Sequence, residues 1–172
     1  MILSDNDIRE HLKKGIIKIS PIKPDQIGQA SVDLTLSNEW GFFKEKYLQG
    51  EVVDLDKVAF QEANKKIIAK EIILQHDQMC LATTVEKITL PRDIMGLLGG
   101  RSRYARMGLT VHITSAIVQP GSSNHQVLEI VNFAPFPIKL HAGMRVSQVT
   151  FHKLESASSK PYAKFGKIAR NQ

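Results

Sequence analysis

The stretch Gln126-Val127-Leu128-Glu129-Ile130-Val131-Asn132-Phe133 alternates along its length. That period of two reads as a β-strand, with Val127, Glu129 and Val131 on one face and Leu128, Ile130 and Phe133 mostly on the other. A carboxylate among apolar neighbours is costly unless it has a cationic partner or a task that uses it, which makes Glu129 a candidate functional group. Similar runs occur on either side: Ile16 to Ile19, Val32 to Leu36, Gly41 to Phe43, Glu71 to Leu74, Met79 to Thr83, Ile138 to Leu140 and Arg145 to Phe151. Pro, Gly, Asn and Asp separate them, and short strands punctuated in this way imply an all-β barrel or double-sheet roll. Ser4 followed by Asp7 predicts a capped N-terminal helix carrying Ile8, His11 and Leu12 on one side and stopped by Gly15. The charged segment from Asp56 to Lys70 reads as a loop with some helix.

The chain has 172 residues, 42% of them hydrophobic, which is one domain's worth and enough to bury a core. No run of apolar residues is long enough for a membrane span, and the N-terminus lacks the basic-then-apolar pattern of a secretory signal. Cys80 is the sole cysteine, so no intramolecular disulfide forms, and the chain suits a reducing cytoplasm. Cys80 itself reads as small core filler. A net charge of +6 is compatible with nucleic acid, a membrane surface or a small polyanion. Aromatic content of 6% offers little for stacking bases, and no helix-turn-helix or zinc module is legible, so a small polyanion is the simpler expectation.

A second segment gives that anion a place. Gly100-Arg101-Ser102-Arg103-Tyr104-Ala105-Arg106-Met107-Gly108-Leu109 sets three guanidinium groups and a hydroxyl within six positions. Arginine binds phosphate oxygens through a planar fork, so Arg101, Arg103 and Arg106 are candidate anion ligands beside Ser102. A short helix is expected from Ser102 to Met107, its N-terminal amides aimed at a phosphate.

Zinc-dependent nucleobase deaminases need His-x-Glu together with Pro-Cys-x-x-Cys to hold the metal. None of the six His here has Glu two positions on, and one Cys cannot supply the second motif. No protein-bound metal site and no zinc are therefore expected. His112, between Val111 and Ile113, reads as a structural histidine satisfied by the backbone.

Taken together, Gly-Arg-Ser-x-x-Ala-Arg-x-Gly-Leu, His112 to Ser115, Pro120-Gly121, Val127 to Asn132 and Gly143 to Phe151 resemble the dCTP deaminases of the dUTPase-like superfamily. Met1 to Asp5, Gln29 to Leu36 and Leu81 to Glu86 with Leu90-Pro91 extend the resemblance upstream, and Pro161-Tyr162 with Arg170 to Gln172 extend it downstream. The resemblance implies a dUTPase-like distorted β-barrel or jelly roll over residues 1–154 and a basic tail over 155–172 that covers the nucleotide phosphates. It implies a homotrimer with active sites between subunits, acting on dCTP and dUTP with Mg²⁺ carried on the triphosphate, and it leaves room for dTTP as an inhibitor. Nucleic acid and membranes are not expected partners.

The resemblance also implies roles. Glu129 takes a proton from a water held by the Ser115 carbonyl and the Ser102 hydroxyl, and Arg106 orients Glu129. Arg101, Arg103, Gln119, Val127, Gln148, Tyr162, Lys167 and Gln172 bind substrate. Tyr162 could equally be a packing aromatic beside Pro161.

Three positions depart from the family pattern. Gln119 stands where deaminases carry an Asp for the sugar 3′-hydroxyl and where dUTPases carry the Asp that activates water. An amide cannot act as that base at neutral pH, so hydrolysis of dUTP is disfavoured. Arg103 replaces a common second Ser, and the tail lysine falls one residue out of step at Lys167. The reading is deamination of dCTP to dUTP and ammonia. The alternatives left open are a bifunctional deaminase and diphosphatase, a dUTPase, and a non-catalytic nucleotide-binding regulatory protein on this fold.

Overall fold

The structure is a computed structural model that describes residues 1–50, 52–111 and 114–165. His112, Lys167, Gln172 and the end of the tail lie outside the described residues. The protein is mainly β, as the strand spacing predicts. Its strands are β1 (Lys18–Ser20), β2 (Val32–Phe43), β3 (Asn64–Ile68), β4 (Glu71–Leu74), β5 (Met79–Thr89), β6 (Ile94–Gly100), β7 (Leu109–Val111), β8 (Ile117–Val118), β9 (Ser123–Asn132), β10 (Ile138–His141) and β11 (Arg145–Lys153).

A single curled sheet runs in the order β7-β9-β5-β2-β11-β6-β8, with β1 added to β5 and β3 added to β2. Strands β4 and β10 form a separate antiparallel ribbon. The core lies on one face of the sheet, where Val32, Leu34, Leu36, Leu128, Ile130 and Phe151 are fully buried. Alternation explains why: on β9 the even-numbered positions Asn124 to Asn132 are buried and the odd-numbered ones are not.

The N-terminal helix α1 (Asp5–Lys13) carries the expected capping box, with the Ser4 side chain and Asp7 bonded reciprocally, and Ile8 is its buried residue. Among the described residues the other α-helices are single turns: α2 (Phe60–Ala63), α3 (Ser102–Ala105) and α4 (Tyr162–Phe165).

Several expectations need correction. The segment read as loop and helix from Asp56 to Lys70 contains the helical turn α2, but then pairs as strand β3 against Glu39 to Phe43. Phe133 lies outside β9 and is exposed, because the chain turns there: its N–H donates to the Gly108 carbonyl, and Asn132 Nδ2 donates to the Leu74 and Phe136 carbonyls. Helix α3 ends earlier than the expected Met107. Gly108 then turns the chain into β7 at a φ of +83°, and a Cβ there would lie 2.7 Å from the Ala134 nitrogen.

Candidate active site

Strand β9 positions Glu129. Its side chain is half-buried on the same face as Val127 and Val131, as the alternation predicts. On the other face Ser122, Asn124 and Gln126 are buried polar groups in positions that Leu128 and Ile130 continue as core. The neighbouring strand β5 bulges here: Thr83 faces Val127 and Lys87 faces His125, so Thr84, Val85 and Glu86 stand opposite Gln126 alone. Within the bulge, Thr84 Oγ1 accepts the Gln126 N–H at 2.9 Å and donates to the Glu86 carbonyl at 2.9 Å.

That geometry sets the direction of the β9 backbone groups. The Gln126 N–H points toward β5, whereas the Val131 carbonyl accepts Thr110 Oγ1 from β7 at 3.1 Å. Alternation therefore turns the N–H and C=O of Val127 toward the β7 side. Strand β7 pairs with Ile130 to Asn132 only, so among the described residues no strand covers this edge at Val127. The N–H and C=O of one strand residue present a donor and an acceptor at fixed spacing, which suits the planar edge of a nucleobase.

A cavity of about 260 Å³ lies along this edge, lined by Ser115, Gln119, Ser122, Val127, Glu129 and Tyr162 among others. Asn124 and Gln126 also reach it, with Gln126 Nε2 donating to the Asn124 carbonyl at 3.2 Å. Ser122 Oγ is buried and has no hydrogen-bond partner among the described residues. A larger groove of about 420 Å³ shares Val127 but is lined by Trp40, Phe60 and Leu81 and does not include Glu129. That groove carries Glu39, Lys66 and His125, whereas the smaller cavity is the one that brings Glu129 together with Ser115 and Gln119.

The tail closes one side of this cavity. Tyr162 N–H donates to the Pro120 carbonyl at 3.0 Å and Ala163 N–H to the Gly121 carbonyl at 3.1 Å, so residues beyond the barrel fold back onto the Pro120-Gly121 turn of the same chain.

The remaining expected site residues form a second group. Arg101 leads from β6 into α3, and its N–H bonds the Val146 carbonyl of β11 at 3.0 Å. Its guanidinium Nη2 pairs with Asp33 Oδ2 at 3.1 Å, and Nη1 donates to the Arg145 carbonyl at 3.0 Å. Gln148 sits beside it: Oε1 accepts Ser31 Oγ at 3.1 Å and Nε2 donates to the Gly100 carbonyl at 3.4 Å. Ser102, Arg103 and Arg106 are exposed on or next to α3, with Arg103 stacked 5.7 Å from the Tyr104 ring centroid.

Within one chain the structure thus joins Ser115, Gln119, Val127, Glu129 and Tyr162 around one cavity. It gathers Arg101, Ser102, Arg103, Arg106 and Gln148 elsewhere, and none of these lines the Glu129 cavity. Sequence reading missed Asp33 as the partner of Arg101, and it missed the buried polar groups Ser122, Asn124 and Gln126. Their one sequence signal was polar residues at alternate positions leading into Leu128.

The dCTP deaminase-like family model matches residues 2–154. The chain belongs to the dCTP deaminase-like family. A dCTP deaminase of Idiomarina loihiensis is 35% identical over 95% of this chain and 89% of its own. A protein of Kocuria rhizophila named dCTP deaminase, dUMP-forming, is 37% identical over 94% of this chain and 84% of its own. The crystal structure of the dCTP deaminase from Agrobacterium tumefaciens superposes with a TM-score of 0.69 at 22% identity over 88% of this chain. This chain spans 48% of that one. Staphylococcal phage dUTPases share the fold at TM-scores of 0.51 to 0.53, in agreement with the dUTPase-like architecture read from the sequence.

Proposed function

We propose that this protein deaminates dCTP, taken as its Mg²⁺ complex, to dUTP and ammonia without zinc. The observation that carries this reading is the cavity that sets the Glu129 carboxylate beside Ser115 and the Val127 strand edge, in a member of the dCTP deaminase-like family. The Val127 edge takes the cytosine, and Glu129 removes a proton from a water held at Ser115. The resulting hydroxide adds to C4, and the carboxyl group returns its proton to the exocyclic amine. The C4–N bond breaks, ammonia leaves, and the C4 hydroxyl proton passes to N3 to give the uracil carbonyl. Gln119 hydrogen-bonds the sugar, and Tyr162 and the basic tail cover the phosphates.

The two groups of site residues complete one site when copies of the chain assemble, as a homotrimer in this reading. Arg101, Ser102, Arg103, Arg106 and Gln148 of one subunit then face the Glu129 cavity of another. Two features support this. Ser102, Arg103 and Arg106 are exposed in a single chain, and Leu81, Thr83, Val127 and Val131 form an incompletely covered, largely apolar sheet face around Glu129.

A second reading, in which the enzyme continues from dUTP to dUMP and pyrophosphate, is favoured by one observation: relatives named dUMP-forming match as well as the others. Gln119 argues against it, since an amide offers no base to activate water at the α-phosphate. Separation of products after incubation with dCTP, dUTP or CTP and Mg²⁺ tests both. Ammonia and dUTP without pyrophosphate support deamination alone, whereas pyrophosphate in step with ammonia replaces it with the bifunctional reading.

A further inference from the structure

Asp33 has no part in the chemistry above, yet it is the side chain that holds Arg101. Its Oδ2 lies 3.1 Å from Arg101 Nη2, and the Arg145 carbonyl takes Arg101 Nη1 at 3.0 Å. Arg145 is itself anchored, with Nη2 3.0 Å from Asp25 Oδ2 and Nη1 donating to the Asp25 carbonyl at 3.2 Å. The backbone beneath is pinned as well: Gln26 Nε2 donates to the Asp33 carbonyl at 2.8 Å and to Glu86 Oε1 at 2.7 Å. Across the sheet Asp33 faces Gln148, another residue of the same group. A guanidinium carries five N–H donors, and two of these are directed into the protein. The rest belong to a side chain that is 35% exposed.

We propose that Asp33 is a positioning residue that fixes the Arg101 guanidinium as a preset fork for the polyphosphate of the substrate. This rests on the reading of the substrate as a nucleoside triphosphate. Holding the fork in place beforehand removes the cost of ordering a long side chain when the anion arrives. Stability does not account for the pair. Burial raises the Asp33 carboxyl above its ordinary range, against the lowering pull of Arg101 and Arg145 and with Asp25 and Glu86 adding to the rise. Arg101 thus offsets only part of the cost of desolvating the Asp33 carboxylate, and what the pair supplies is orientation.

The test uses the full chain with Asp33→Ala, Asp33→Asn, Arg101→Ala and the Asp33→Ala/Arg101→Ala pair. Each is titrated calorimetrically with inorganic tripolyphosphate and assayed for KM and kcat on Mg·dCTP. Asp33→Ala should raise the tripolyphosphate Kd and the KM about tenfold, the size of one charge-assisted hydrogen bond, with kcat nearly unchanged. Asp33→Asn keeps an oxygen in place to accept from Arg101 and should stay within about threefold of wild type, with a melting temperature no lower. The double variant should bind no more weakly than Arg101→Ala alone. Asp33→Val, a better strand former, replaces the alanine variant if that one does not fold. Equal losses from Asp33→Ala and Asp33→Asn, additive losses in the double variant, or a fall in kcat at constant KM would overturn the proposal. If wild type fails to deaminate dCTP while tripolyphosphate binding still separates the variants, the deaminase reading falls and the brace stands. If it deaminates and the variants bind alike, the brace alone falls.

Discussion

Gly121 lies directly beneath Pro161: a Cβ built at residue 121 would come within 2.6 Å of Pro161 Cβ and 2.9 Å of its Cα. The contact decides whether the tail can reach the cavity, because Tyr162 follows immediately and lines it. Gly121 also has a φ of +73°, a conformation that resists any side chain.

Gly121→Ala should therefore act twice. The backbone term should cost about 1 kcal/mol of stability, and the clash should push Pro161 and Tyr162 off the Pro120 turn. Raised KM for dCTP, with a melting temperature only a few degrees lower, is the expected pattern. Unchanged kinetics in a folded variant would show that the docked tail does not contribute to binding.

Asp33 gives a pH prediction with a definite sign. Burial raises its carboxyl above the ordinary 3.8, so the folded state holds the proton more tightly than the unfolded chain does. The stability this site contributes is complete below about 3.8 and is lost as pH rises through the raised folded value. Asp33→Asn mimics the protonated form and removes that loss. Melting curves of the two proteins should coincide most closely near pH 4 and diverge toward neutrality, with the variant the more stable. A variant less stable than wild type at pH 7 would contradict the sign.

Cys80 is fully buried in β5, and burial pushes its thiol up to about 12. The thiolate is the nucleophile, so the native protein should not react with a thiol reagent at pH 8 and should release one equivalent on denaturation. Rapid labelling of the folded protein would place Cys80 at the surface.

Much of this was legible in the sequence because period-two alternation and turn residues leave a direct trace. Strand β9, the capped helix α1 and the side of β9 that carries Glu129 all follow from it. The strand Ile94–Gly100 was not read, since its three glycines weaken the pattern. Strand β3 was masked by Lys65 and Lys66, which are exposed at a position that pairs with β2. Collinear motifs pointed to the site residues but not to their division into two groups, because that division depends on which strands become neighbours. Asp33 lies on β2 and Arg101 just past the end of β6, with β11 between those strands in the sheet order, and no spacing rule on one sequence encodes such a contact. The polar residues beneath the cavity were hidden for a related reason: Ser122, Asn124 and Gln126 occupy inward positions that a binary pattern assigns to apolar side chains.

The most direct test of the account is ammonia release from Mg·dCTP by wild type and by Glu129→Gln, measured beside nucleotide binding in both proteins. Glutamine keeps the shape of the side chain in the cavity but cannot take a proton from water, so the account predicts binding within a few-fold of wild type and a rate lower by roughly 10²-fold or more. Glu129→Gln protein that releases ammonia from dCTP at the wild-type rate would contradict it.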